Sequence, residues 1–303
     1  MVQGVRAVPR GAVAPAGDGL ESRMPVTAPP SPPRQPLKLR RYTKKAFKRI
    51  VPLALAIYFT PVPLAFYVLC GLREVLRNSR RTLATIDRYF AGNGFFTWLL
   101  SPFNLLMDLL TLPYQNKGIY QLTDLPEGHQ AEIRAIIDAA HRRDVVGLLA
   151  GRTDQCKRGM VFFKWYGRNM DAIVDVPEYH DEYKYIRTIG VSVFNKRQST
   201  SKHYGPLRVT LRVLYNINHI DSPDVYIRVG NHTHYWRESK LFIFDDTLQH
   251  QSCNGSDEPR FCLFVDILRP GPFPRLMSAI LSGIRRIAGP VNYCFYRQWT
   301  FLK

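Results

Sequence analysis

Residues 202–215 read Lys202-His203-Tyr204-Gly205-Pro206-Leu207-Arg208-Val209-Thr210-Leu211-Arg212-Val213-Leu214-Tyr215. From Leu207 the pattern has period two. Leu207, Val209, Leu211, Val213 and Tyr215 share one apolar face of an extended chain, and Arg208, Thr210 and Arg212 share the other. An arginine on the inner face of a small barrel is costly unless an anion meets it. The same signature closes the β region, where Arg260 begins the otherwise apolar run Phe261-Cys262-Leu263-Phe264-Val265. Outward from this stretch, Ile186–Phe194, Leu207–Ile217, Val225–Val229, Lys240–Phe244 and Arg260–Leu268 read as strands separated by Gly, Asn, Asp, Ser and Pro. The reading is mainly β with flanking helices, and this many short strands in so few residues point to a sandwich or jelly roll. Residues 126–151 read as an amphipathic helix through Ile133, Ile136, Ile137 and Ala140. Phe273 to Ile287 read as a basic amphipathic helix, equally suited to lie on a membrane or to cover the barrel.

Two histidines bracket this region. His203 lies four residues before Leu207, and His250 lies six residues past Phe244, in Phe244-Asp245-Asp246-Thr247-Leu248-Gln249-His250. Two imidazoles flanking strands, with Arg260 ten residues after the second, match what a non-heme iron oxygenase needs: open metal positions, nitrogen ligands and a cation for a distal carboxylate. A metal carboxylate two residues after the first histidine would complete the usual triad, but that position is Gly205. The pair Asp245-Asp246 reads as a turn former rather than a metal site, and His232 and His234 as part of a hairpin-like loop.

The set His203-Tyr204-Gly205-Pro206, Arg212, Phe244-Asp245-Asp246, His250, Arg260 and Val265-Asp266 resembles the aspartyl/asparaginyl β-hydroxylase family over about residues 155–270. That resemblance implies a double-stranded β-helix (jelly roll), iron(II), and 2-oxoglutarate and O2 as co-substrates. It implies His203 and His250 as metal ligands, with glycine at the carboxylate position as in the protein-modifying branch. It further implies Arg260 and Ser192 as the grip on the 2-oxoglutarate side-chain carboxylate and Arg212 as a second pocket arginine. Leu214 departs from the histidine that protein-hydroxylating members carry there.

The rest of the chain sets the context. It has 303 residues, 42 Lys+Arg against 24 Asp+Glu, and a net charge of +18. That balance favours anionic partners. Half of the excess lies in residues 1–49, of which 1–36 are rich in Pro, Ala and Gly and Lys38 to Arg49 are mostly basic; the whole is expected to be a disordered basic tail. Five scattered cysteines without a CxxC pair argue against a disulfide framework or a zinc knuckle.

Ile50 to Leu72 carry no charge, and as a helix they would span about 34 Å, enough to cross a bilayer. Pro52, Pro61 and Pro63 leave a bent span, a re-entrant hairpin and a buried helix open. A second apolar stretch, Tyr89 to Leu112, reads as interfacial. Residues 50–115 are therefore expected to be membrane-spanning or membrane-associated, and 116–303 to form the dioxygenase domain. This layout, with Lys157 to Gly167 and Tyr296 to Lys303, is similar to bacterial lipid A acyl-chain hydroxylases. It implies an inner-membrane enzyme with its catalytic domain facing the cytoplasm, acting on a membrane lipid at an anionic surface, with no nucleic acid and no obligate protein partner. The alternatives are an ornithine-lipid hydroxylase, a peptide aspartyl/asparaginyl hydroxylase, and a non-enzymatic binding relative of the fold.

Overall fold

The computed structural model describes residues 50–51, 54, 57–78, 81–153, 156–288 and 299–302. The chain divides into one unit of Met1–Ala54 and a compact unit of Leu55–Lys303. The tail expected at 1–49 lies outside the described residues, as does half of the motif at 296–303.

Twelve strands form among the described residues, several of them on alternating apolar and polar positions. β1 (Ile119–Tyr120), β2 (Arg158–Trp165) and β3 (Arg168–Asn169) precede β4 (Ile186–Phe194), β5 (Gln198–Ser199), β6 (Thr210–Asn216) and β7 (Val225–Val229). β8 (His232–Tyr235), β9 (Leu241–Phe244), β10 (His250–Asn254), β11 (Arg260–Leu268) and β12 (Thr300–Phe301) follow. One sheet runs β1-β9-β6-β11-β4-β2-β12, with β3 on β2, and the other runs β5-β10-β7-β8. Every pairing is antiparallel except β12 on β2. Taken in chain order, β4 to β11 pair first with eighth, third with sixth and eighth, second with seventh, and fourth with fifth and seventh, which is jelly-roll pairing.

The two faces of the larger sheet bury different things. Leu211, Val213, Val191, Val193, Leu263 and Val265 point outward and pack under helix α5 (Glu127–Arg142), whose Ile133, Ile136, Ala139 and Ala140 fill the same core. The inner face meets the smaller sheet through Leu214, Phe242, Phe244, Cys262 and Phe264 against Val225, Ile227 and Val229. Each such aliphatic side chain removed from water contributes about 1.5–3 kcal/mol.

Numbered in chain order from Pro61, four helices precede α5 among the described residues. They are α1 (Pro61–Leu76), α2 (Leu83–Ala91), α3 (Phe95–Leu99) and α4 (Ser101–Leu110); α6 (Val145–Leu149) and α7 (Pro274–Ala288) follow. Among the described residues no helix is long and apolar enough to cross a membrane. Of the alternatives left open for Ile50 to Leu72, a straight helix is interrupted at Thr60, which caps α1 with a non-helical backbone ahead of Pro61. The second apolar stretch is likewise cut into α3 and α4.

These helices grip the barrel through polar groups. Thr97 Oγ1 donates to the Gly205 carbonyl at 2.6 Å, and Arg88 Nη1 donates to the Lys202 carbonyl at 2.8 Å. Asn104 donates to the Pro206 carbonyl and accepts from the Arg208 amide. The loop from Lys202 to Arg208 is thus held at successive points from outside the barrel.

Candidate metal and anion site

His203 follows β5 and His250 opens β10, and the two residues face each other as an isolated antiparallel bridge. The His203 amide donates to the His250 carbonyl at 3.0 Å, and the reverse bond is 2.9 Å. The ring centroids lie 4.1 Å apart. Each Nδ1 sits 2.8 Å from the carbonyl two residues earlier, Ser201 for His203 and Leu248 for His250. A carbonyl only accepts, so each Nδ1 carries the proton and each Nε2 keeps its lone pair. Burial lowers the pKa of both rings, and for His250 the neighbouring His203 lowers it further. Both imidazoles are therefore neutral at pH 7, the form in which they ligate metals. Among the described residues, no group of three His, Cys, Asp or Glu side chains stands in metal-holding geometry.

A carboxylate borders the pair. The Gly205 amide donates to the Asp246 carbonyl at 2.7 Å, and a Cβ built on Gly205 would collide with the Asp246 carboxylate, 2.6 Å from Oδ1. Asp246 Oδ2 accepts from Arg212 Nη2 at 2.9 Å, while Oδ1 is buried without a partner. Burial pushes this carboxyl up to about 7; Arg212 opposes the rise, and Asp266 and Asp245 add to it. Sequence reading assigned both aspartates to a turn. That holds for both: the Leu248 amide closes a turn on the Asp245 carbonyl at 3.1 Å, and Asp245 Oδ1 accepts from the Thr247 amide. Within that turn the Asp246 side chain also faces the site, where it lines the same cavity as His203 and His250.

Arg212 and Arg208 share a face in the sequence pattern but meet different partners. Arg212, opposite Asp266 across β11, donates to Asp266 at 2.8 Å and lies 3.7 Å over the Phe264 ring. Arg208 precedes β6 and is fully buried among carboxylates of the protein itself: Glu74, Asp108 at 2.8 Å and Asp245 at 3.4 Å. The anion needed by Arg208 is thus internal and ties α1 and α4 to the barrel.

Arg260 is 1% exposed. Its Nη2 donates to Ser252 Oγ at 2.9 Å, and its guanidinium lies over Phe194 (4.5 Å) and Trp236 (5.1 Å). Nε and Nη1 are buried with no acceptor. Ser252 stands two residues after His250 on β10, so the guanidinium lies on the imidazole's side of that strand. Ser192 is buried on the facing part of β4, its hydroxyl donating to the Cys262 carbonyl at 3.2 Å. Leu214 is buried in the core between the sheets.

His203, His250, Arg212 and Asp246 line one cavity of about 310 Å³, whose remaining walls are largely apolar: Phe96, Leu100, Trp165, Phe264, Ile284 and Ile287 among them. Arg260 and Ser192 are not in its lining; they sit deeper on the same inner face. His232 and His234 lie on strand β8 rather than in a loop, stacked on Phe242, which is packing.

Residues 160–270 match the family model described as aspartyl/asparaginyl beta-hydroxylase. An ornithine lipid ester-linked acyl 2-hydroxylase of Rhizobium tropici is 34% identical over 86 residues, which cover 28% of this chain and 31% of that protein. The chain therefore matches about a third of the length of this curated relative. Among solved structures, TT1209 from Thermus thermophilus is 16% identical, with 41% of this chain and 95% of that one covered at a TM-score of 0.27. An oxidoreductase of the 2OG-Fe(II) oxygenase family from Burkholderia pseudomallei is 11% identical, with 38% and 69% covered, also at 0.27.

Proposed function

We propose that the protein, whose residues 160–270 match the aspartyl/asparaginyl beta-hydroxylase family model, is an iron(II)- and 2-oxoglutarate-dependent hydroxylase acting on an acyl chain of a membrane lipid. The observation that carries this reading is the facing pair His203 and His250, each with Nδ1 fixed on a backbone carbonyl and Nε2 left to coordinate, on the wall of an apolar cavity.

The residues suit the group. Two neutral imidazoles are a donor set that ferrous iron accepts, and carbonyl acceptors behind them fix tautomer and orientation. The unpartnered Asp246 Oδ1 puts a carboxyl oxygen beside the pair, in space that a side chain at Gly205 would otherwise fill. Bound iron(II) would supply the redox chemistry through which O2 and 2-oxoglutarate hydroxylate an unactivated C–H bond.

The chain's own residues bind, orient and exclude water. Arg260 presents two unsatisfied donors to the far carboxylate of 2-oxoglutarate, and a guanidinium fork can hold both oxygens as an ammonium cannot. Ser192 offers a hydroxyl on the same inner face. Arg212 is already committed to Asp246 and Asp266, so its part is to brace the carboxylate next to the imidazoles and to carry positive charge at the cavity wall. Phe96, Leu100, Phe264 and Ile284 give a substrate an apolar bed and keep water from the reacting carbon.

The apolar walls favour an acyl chain over a polar peptide, and the ornithine lipid relative favours the acyl 2-position. Lipid A-like and ornithine-type lipids share that chemistry. Mass spectrometry of lipids from cells with and without the protein tests the reading, together with succinate release from 2-oxoglutarate by the purified enzyme. The expected result is an acyl chain one oxygen heavier, absent with His203→Ala. Turnover with an unchanged lipid profile and a hydroxylated peptide would place the substrate among proteins.

A further inference from the structure

Within Leu55–Lys303, every exposed large apolar side chain among the described residues lies in 57–114 or 273–287, save Leu148. The barrel exposes none of its own. Of the helices that carry these side chains, α1, α3 and α4 set polar groups against the barrel and large apolar ones outward, while α7 buries Met277 and Leu281 and exposes Leu276 and Ile287. α3 buries Thr97 and exposes Phe95, Phe96 and Leu99. α4 buries Ser101 and Asn104 beside Met107 and exposes Leu106 and Leu109, and α1 buries Glu74 beside Cys70 and Val75 while exposing Val62, Phe66 and Leu69. A helix on a water-facing surface turns its apolar stripe inward and its polar groups outward. Here Glu74, Thr97 and Asn104 hold the barrel loop at Gly205–Arg208, and much of the apolar surface of α1, α3 and α4 is left facing out. Exposed large apolar side chains gathered on these segments, with none on the barrel, mark an interaction surface.

The same helices form the mouth of the cavity. Phe96 and Ile287 are both exposed, Ile287 at 82%, and both line the space that holds His203 and His250. Basic residues accompany the apolar ones: Arg73 on α1, Arg81 between α1 and α2, and Arg275 and Arg286 on α7 are exposed or nearly half-exposed.

The geometry points to α1, α3, α4 and α7 lying in the headgroup region of an anionic bilayer, with the cavity mouth opening at acyl depth between Phe96 and Ile287. This rests on the lipid reading above and adds how the lipid arrives. The chain is anchored by helices too short to cross, with apolar faces in the acyl boundary and arginines on anionic headgroups. The acyl chain then passes into the protein without entering water. Charge selects a bilayer over a second copy of this chain, since a like-charged copy with a net +18 would be repelled.

The test uses the full chain without iron or 2-oxoglutarate, sedimented with vesicles of phosphatidylcholine containing phosphatidylglycerol, in high salt so that the basic tail is screened. The variant combines Leu69→Asp, Leu99→Asp and Leu109→Asp, none of which lines the cavity. The account predicts that wild type binds and that the variant loses roughly tenfold or more in partition, with unchanged circular dichroism and unchanged succinate formation from 2-oxoglutarate in the absence of lipid. Equal binding by both proteins, or no binding by wild type, overturns the inference. So does a wild-type dimer in light scattering that the same variant dissolves, since the patch is then covered by a second copy. The two readings fail separately: a protein that hydroxylates detergent-dispersed lipid but ignores vesicles keeps the function and loses this surface. A vesicle-bound protein with no 2-oxoglutarate turnover does the opposite.

Discussion

Arg260→Met separates a binding arginine from a structural one. Removing one partner of a satisfied buried ion pair costs about 3–5 kcal/mol. Arg260 has no carboxylate partner. Its guanidinium makes one hydrogen bond to Ser252, lies over two aromatic rings, and leaves Nε and Nη1 buried and unsatisfied. Replacement forfeits about 1.5–3 kcal/mol of charge-assisted hydrogen bond and about 1–2 kcal/mol of ring contact. It also relieves two orphaned donors at about 1–3 kcal/mol each. The terms nearly cancel, so apo stability should move by less than about 2 kcal/mol.

Ligand response should change instead. A dicarboxylate at a hundred times its Kd stabilises wild type by about 2.7 kcal/mol, or roughly 5–10 °C in Tm at about 2–4 °C per kcal/mol for a domain of this size. Glutarate is the suitable probe, because it carries the distal carboxylate without the keto acid end that would need the metal. Scanning fluorimetry of both proteins against glutarate gives the answer: a shift in wild type and none in the variant. A variant that loses more than about 4 kcal/mol without ligand, or that keeps the glutarate shift, would refute the assignment of Arg260 as the carboxylate anchor.

Gly205→Asp places a side chain where the Asp246 carboxylate already stands. The single variant should bind Mn(II) more weakly by isothermal titration, and Gly205→Asp combined with Asp246→Gly should recover affinity; no recovery would mean the two positions do not share one space. Glu74→Gln weakens the internal neutralisation of fully buried Arg208, so chemical denaturation should show a loss of roughly 2–4 kcal/mol, and a loss under about 0.5 kcal/mol would mark the cluster as inert. His129 is held neutral, with burial lowering its pKa to about 4, Nε2 on the Leu268 carbonyl and Nδ1 without an acceptor. The unfolded chain takes up this proton near pH 6.5, so unfolded protein binds more protons between about pH 6.5 and 4. Stability therefore falls as pH drops through that window and is insensitive to this group above it. His129→Gln should flatten the slope between pH 6.5 and 5, where one group contributes at most about 1.4 kcal/mol per unit; an unchanged slope would exonerate His129.

Period-two alternation made much of the barrel legible. The read bounds Ile186–Phe194, Val225–Val229 and Arg260–Leu268 coincide with β4, β7 and β11. β6 starts only at Thr210, because α4 claims the backbone of the residues just before it through Asn104. β2 escaped because nearly every residue from Gly159 to Trp165 is buried, on both faces, so nothing alternates. β8 and β10 escaped because histidine, threonine, glutamine and serine carry no hydrophobic period. At the site, spacing and resemblance reached His203, His250, Arg212 and Arg260. Asp246 was lost because local turn chemistry explains an Asp-Asp pair equally well until tertiary contact separates the two side chains. The run from Ile50 to Leu72 showed that residues there avoid charge. It could not show that Thr60 interrupts the helix or that Glu74, just beyond the run, turns inward to Arg208.

An anomalous diffraction map from crystals grown with Mn(II) addresses the pair of histidines most directly. A single peak bonded to Nε2 of both His203 and His250, at about 2.2 Å, and lost in His250→Ala, is the predicted result. A peak held by other residues, or none between the two rings while the protein in solution carries one equivalent of metal, would contradict it.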